Sequence, residues 1–210
     1  MTDIQVITAD NYKYMPWKNG LGSTLEIKRY DDSNGQRFRI SKATVLEDGL
    51  FSDFSGQHRT LVLLSGAGMT LKHKCQNRIS SHRLKNSLDI ARFSGGDETH
   101  ATLDNNAAIE DLNIMVREKD TLAKVVAIRV DQSLSPTKVA SILLSAFYAN
   151  CDCMINLRSN TDEEKTIGLP KGSFLYFKDS LTLLDKTVFI TKGNGVFIEI
   201  LDDDSDSLLK

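Results

Sequence analysis

Short alternating runs, each closed by a Gly, Asn or Asp turn, are the feature that most limits what this chain can become. "TLEIKRY" puts Leu25, Ile27 and Arg29 on one side of an extended segment and Thr24, Glu26 and Lys28 on the other. "DDSNGQ" follows and holds Asn34-Gly35, the dipeptide that best fits a type I′ hairpin, before "RFRIS" returns. Asp48-Gly49 marks another turn. "RTLVLLSGAGMTLKHK" is an apolar strand, a turn over Ser65–Gly68 and a second strand alternating Met69, Leu71 and His73. "SLDIARF", "EDLNIMVRE" and "AKVVAIRV" extend the series. Many short strands at even spacing predict an all-β sandwich or barrel. No glycine pattern of the Rossmann or P-loop kind accompanies them.

One segment interrupts the pattern. In "SPTKVASILLSAF", Val139, Ile142, Leu143 and Ala146 fall at i, i+3, i+4 and i+7, with Ser135 placed as an N-cap and Pro136 at the first helical position. That predicts a helix, in competition with a strand after residue 146. The polar stretch 159–172 then separates this element from a last strand-rich block with turns at Lys178–Ser180 and Gly193–Gly195. The expected organisation is a main barrel over 1–130, a second strand-rich half over 131–202 that shares its core, and a frayed acidic tail at 203–210.

Charge and apolar runs exclude whole classes. With 28 acidic against 26 basic residues the net charge is −2, so no basic field invites nucleic acid. No apolar run approaches the roughly 20 residues of a membrane span. The start "MTDIQVITADNYKY" has neither a basic nor an apolar leader region, so a cytoplasmic protein is expected. Cys75, Cys151 and Cys153 are too few and too unevenly placed for a disulfide framework, and the lone C-x-C lacks the partners a zinc site needs. His58, His73, His82 and His100 include no H-x-H pair, so neither a metal nor another cofactor is expected. There is no G-x-S-x-G, and Asp97 in "GGDE" suits a turn better than general-base work.

Three stretches, in order, resemble the HutD/Ves family of cupin-like bacterial proteins. "MPWKNGLGSTLEI" is similar to the family's opening at Pro16, Trp17, Lys18, Asn19, Gly20, Gly22, Thr24, Glu26 and Ile27. "FSDFSGQHRTLVLLSGAGMTL" matches at Phe51, Ser52, Phe54, Gly56, Arg59, Leu61, Leu64, Gly66, Gly68 and Leu71. "FSGGDETHATLDNNAAIEDLNIMVRE" matches at Phe93, Gly96, Asp97, Asp111, Leu112, Asn113, Met115 and Arg117. Ser55, Gln57-His58 and Glu118 depart from the pattern, the last removing a basic anchor. The resemblance implies a double-stranded β-helix, the jelly roll of RmlC-like cupins, with a second smaller cupin-like half. It also implies a link to histidine utilisation, where formiminoglutamate has been suggested as a ligand, or to stress responses. It implies no defined reaction.

The candidate binding residues are Trp17, Lys18, Asn19, Glu26, Arg59, Asp111, Asn113 and Arg117. On a strand Asp111, Asn113, Met115 and Arg117 share one face, which either lines the lumen or faces solvent. Arg59 and Arg117 would anchor a carboxylate. Glu26 would accept from a ligand nitrogen or pair with Arg59 or Arg117. Trp17 would seal one end of the barrel, with Lys18 and Asn19 at the rim. The partner expected is a small acidic metabolite, with no nucleic acid and no membrane; a homodimer is left open. Three functions compete: a binding or regulatory protein, an isomerase or hydrolase using carboxylate acid–base chemistry, and an interaction module whose barrel is filled by its own side chains.

Overall fold

The computed structural model describes residues 4–17, 20–134, 137, 141–159, 164–177 and 186–203. Its contacts divide the chain into two compact units. One is Lys13–Thr121; the other combines Met1–Tyr12 with Leu122–Lys210. The strands in chain order are β1 (Ile4–Ile7), β2 (Lys13–Pro16), β3 (Gly22–Asp32), β4 (Gly35–Val45), β5 (Gly49–Leu50), β6 (Gln57–Ser65), β7 (Met69–Cys75), β8 (Arg78–Leu84), β9 (Ile90–Ser94) and β10 (Glu98–Leu103). They continue with β11 (Ile109–Arg117), β12 (Thr121–Arg129), β13 (Ser133–Leu134), β14 (Ile142–Ala149), β15 (Cys153–Ser159), β16 (Glu164–Leu169), β17 (Phe174–Phe177), β18 (Lys186–Lys192) and β19 (Asn194–Asp202).

In the Lys13–Thr121 unit, a six-stranded sheet β2-β3-β4-β11-β6-β9 faces a four-stranded sheet β5-β10-β7-β8. Alternation decides what lies between them. Val45, Leu61, Leu63, Ala91, Phe93 and Ile109 from the larger sheet pack on Met69, Leu71, Leu84, Ala101 and Leu103 from the smaller one. Phe38, Ile40, Leu112, Ile114 and Val116 are buried on the opposite face of β4 and β11, so these central strands are hidden on both sides.

The second unit repeats the plan, with sheets β1-β17-β14-β19-β12 and β13-β18-β15-β16. Phe147, Leu175, Phe177 and Phe197 meet Ile155, Leu157, Leu169, Val188 and Ile190 in a cluster of its own. Each unit is therefore a jelly-roll-type sandwich of antiparallel sheets.

Two local expectations change. The helix predicted over 135–147 is not formed where it is described: Ile142–Ala149 is strand β14, hydrogen-bonded to β17 on one side and β19 on the other. Leu144 to Ala149 are all buried. An inner strand covered on both faces carries a continuous apolar run, which matches helical spacing by accident. Ser135, Pro136 and Val139, and the Lys178–Ser180 turn, lie outside the described residues. The hairpin between β3 and β4 also shifts by one residue. Asp32 pairs with Gly35, leaving Ser33 and Asn34 as the loop, and Gly35 alone has a left-handed φ of 96°. The Asp32 carboxylate accepts the Asn34 N–H at 2.8 Å, a capped turn in place of the type I′ form.

Candidate functional site

The inner face of β4 and β11 carries polar residues where a sandwich would ordinarily be apolar. Arg39, Ser41, Ala43 and Val45 alternate along β4; Asp111, Asn113 and Met115 alternate along β11. The register sets them in rows. Ala43 lies opposite Asp111, Ser41 opposite Asn113, and Arg39 opposite Met115. Met115 is in turn opposite Arg59 on β6, and Arg59 opposite Phe93 on β9. Apart from Phe93, these residues line a cavity of about 380 Å³ together with Trp17, Thr24, Leu50, Phe51, Ser52 and Phe54.

Arg59 is the centre of the site. It is only 5% exposed, and its guanidinium stands 4.9 Å from the ring centre of Phe51, 5.2 Å from Phe93 and 5.5 Å from Phe54. Such aromatic faces offer partial compensation to a desolvated cation. One terminal nitrogen donates to Asn113 Oδ1 at 2.7 Å, while Nε has no protein partner. Burial pulls the Arg59 pKa down to about 10, opposed by Asp111, so the side chain stays cationic near neutrality.

Asp111 is 1% exposed, and burial drives its pKa up to about 7 against the pull of Arg59. Its Oδ1 accepts from the Asn113 amide, and its Oδ2 has no protein partner. The chemistry of the relay orients the amide. Arg59 can only donate, so Asn113 must present its carbonyl there and its NH₂ to Asp111. Arg39 completes the charged row, donating from Nε to Glu26 Oε2 at 2.7 Å.

Trp17 both covers the core and walls the cavity. Its ring packs on the Lys13–Thr121 core cluster, and its indole N–H donates to Thr24 Oγ1 at 2.8 Å. The backbone closes behind it: Trp17 N–H bonds Gly22 O, and Gly20 N–H bonds Trp17 O with Gly20 at φ 73°. Gly22 is the tight point. A Cβ there would sit 2.3 Å from Thr44 O and 2.9 Å from the Trp17 ring. Gly22→Ala should therefore cost about 1–3 kcal/mol through overpacking. A lowered urea midpoint together with altered Trp17 fluorescence checks this; unchanged values on both counts would refute the fit.

Of the residues expected from sequence, the fold brings Trp17, Arg59, Asp111 and Asn113 to the cavity. Glu26 is not among the lining residues and holds Arg39, not Arg59 or Arg117. Arg117 is not in the lining: it clamps Asp32 at 2.6 Å and Asp120 at 2.8 Å. Its carboxylate-binding capacity is used within the protein. Lys18 and Asn19 lie outside the described residues. Arg39, Ser41, Phe51, Phe54 and Met115 were missed as site residues. Arg39 and Ser41 sit two apart in "RFRIS", a signal that acquires meaning only when β4 is known to pair with β11.

The donor set does not fit a divalent cation. The cavity offers one carboxylate, which shares its surroundings with two guanidinium groups, and no histidine. Among the described residues, no group of three or more His, Cys, Asp or Glu could hold a metal ion. His73 is engaged elsewhere, with Thr99 and His82 each at 2.9 Å.

Paired β-sandwich units, one holding an arginine-centred cavity, define a cupin-like protein. The HutD family model matches residues 9–191, and the chain belongs to that family. HutD from Pseudomonas fluorescens superimposes with a TM-score of 0.74 at 25% identity, over 95% of this chain and 98% of that one. An uncharacterized 21.2 kDa protein from the hutC 3′ region of Pseudomonas putida is 36% identical over 117 residues, 55% of this chain and 59% of that protein. Protein Ves of Citrobacter koseri is 34% identical over 110 residues, 52% of this chain and 56% of that protein. The matches thus span less than two thirds of either curated relative's length. Oxalate decarboxylase of Lactobacillus farciminis, at 7% identity and a TM-score of 0.57 over 94% of this chain and 86% of that one, shares the fold alone. No helix among the described residues is long and apolar enough to cross a membrane.

Proposed function

We propose that the chain binds a small carboxylate-bearing metabolite of amino-acid type and acts as a cytoplasmic binding or regulatory protein. One observation carries this reading: a buried arginine with an unpartnered N–H whose side chain lines a cavity of about 380 Å³. An unsatisfied buried cationic donor is costly, and an anion supplies the missing acceptor. That volume lies near the lower end of small-molecule sites. The hutC 3′ region in which the Pseudomonas putida relative lies supports placing formiminoglutamate in the first panel of ligands.

Asp111 favours a second reading, an enzyme. A carboxyl with its pKa near 7, an unpartnered oxygen and a place in the cavity is suited to general acid–base work. The second carboxylate of such a pair would have to come from Glu26, which is committed to Arg39. Binding without turnover is therefore the favoured outcome.

The test is thermal shift with formiminoglutamate and short mono- and dicarboxylates, followed by turnover assays on any ligand found. A ligand at about 100 times its Kd adds roughly 2.7 kcal/mol and should raise Tm by a few degrees. A panel that leaves Tm unmoved at saturating concentration sinks the carboxylate reading; conversion of a bound ligand moves the protein to the enzyme class.

A further inference from the structure

Resting on the carboxylate-binding reading, the inference concerns what enters the cavity with the anion. Asn113 is locked by Arg59, so its NH₂ faces Asp111 Oδ1. Oδ1 is thereby committed as an acceptor, and any proton on Asp111 belongs on Oδ2. Oδ2 and Arg59 Nε are two buried atoms of this relay without a protein partner, and both belong to side chains that line the cavity. The first can accept or carry a proton; the second can only donate. An anion oxygen satisfies Nε at once, yet it would meet an ionised Asp111 as a like charge in a desolvated site.

We propose that the cavity takes its anion together with one proton, which adds to Asp111 Oδ2 from solvent so that the new O–H donates to the bound ligand. No bond in the ligand breaks, and the pair enters as a neutral combination. Ligands fitted to the site therefore present acceptor oxygens to both Arg59 and Asp111, as a carboxylate does; an ammonium group at Asp111 would need the opposite protonation.

The surroundings allow this. Arg59 from β6 draws the Asp111 carboxyl toward ionisation, and Glu110, its neighbour on β11, opposes that. Glu110 is itself held by Lys42 and Ser65. Arg39 from β4 is tied to Glu26 from β3, and Asp53 in the loop after β5 is turned to Ser55. Burial puts the free Asp111 midpoint near 7, so an anion has only to raise it further.

The experiment is calorimetry of the full chain with formate, acetate, succinate and glutarate. The best binder is repeated at pH 8 in two buffers of different ionisation enthalpy. The expected result is uptake of close to one proton per ligand, with Kd rising about fiftyfold from pH 7 to 9 and nearing tenfold per pH unit only above pH 8. Asp111→Asn keeps the shape and cannot titrate; it should bind with no proton uptake and a flat pH profile. Binding by the unaltered protein with no proton uptake overturns this inference and leaves the carboxylate reading standing. The same pH slope in Asp111→Asn also overturns it, because the proton then resides elsewhere. Failure of all four anions to bind overturns the carboxylate reading and this inference together.

Discussion

Arg59→Met should abolish anion binding while leaving the fold intact. The guanidinium is the cavity's buried cation, and it touches both the aromatic wall and the Asn113 relay. Removing one partner of a buried charge–charge contact costs roughly 2–5 kcal/mol, about thirtyfold to several thousandfold in Kd. Methionine is a good filler for the vacated space, because its thioether packs well against the rings of Phe51, Phe54 and Phe93. Asp111 loses its cationic neighbour but can take up a proton, which limits the stability loss at neutral pH. Arg59→Lys keeps a charge but has no fork to serve Asn113 and a ligand together, so it should recover only part of the affinity. Calorimetry with the best wild-type ligand decides the matter. Wild-type affinity in Arg59→Met would remove Arg59 from the binding site and, with it, the main support for the proposed function.

The sheets were legible because alternation is a local signal. "TLEIKRY", "RFRIS" and "EDLNIMVRE" became β3, β4 and β11, and the Ser65–Gly68 and Gly193 turns fall between strands with glycines at positive φ. "ILLSAFYA" was not legible, since a strand buried on both faces loses the alternation that identifies it. The hairpin at Asp32 slipped for a different reason: a side-chain cap on the Asn34 N–H outweighed the preference of the Asn-Gly dipeptide.

The site divided along a similar line. Asp111, Asn113 and Arg59 could be nominated as polar members of otherwise apolar strands. Their meeting depends on β11 lying between β4 and β6, a pairing between residues 45 to 78 positions apart. Arg39 and the Phe51–Phe54 wall enter through that pairing and through the loop after β5. Arg117 shows the limit of face counting. It has the same parity as Asp111 and Asn113, but at the end of β11 its side chain reaches the capped turn and Asp120.

That displacement gives Arg117→Met a distinct expected result: a substantial loss of stability with ligand affinity unchanged. Arg117 donates to both oxygens of Asp32, at 2.8 and 2.6 Å, and its Nε donates to Asp120 at 2.8 Å. Asp32 also caps the turn into β4, so one arginine ties a hairpin to the end of β11. Both aspartates keep solvent access, 19% and 27%, so screening tempers the loss, and its direction is read from a lowered urea midpoint. The pH dependence has a definite sign. Hydrogen bonds from Arg117 hold Asp32 and Asp120 below the usual carboxylate range. Carboxyls depressed in the folded state contribute fully above their unfolded pKa of about 4, and that contribution fades as pH falls through the folded values. The gap between wild type and Arg117→Met in urea should therefore be widest near neutrality and narrow below about pH 4. A variant that kept full stability but lost the ligand would return Arg117 to the binding site and require the clamp to open when the anion arrives.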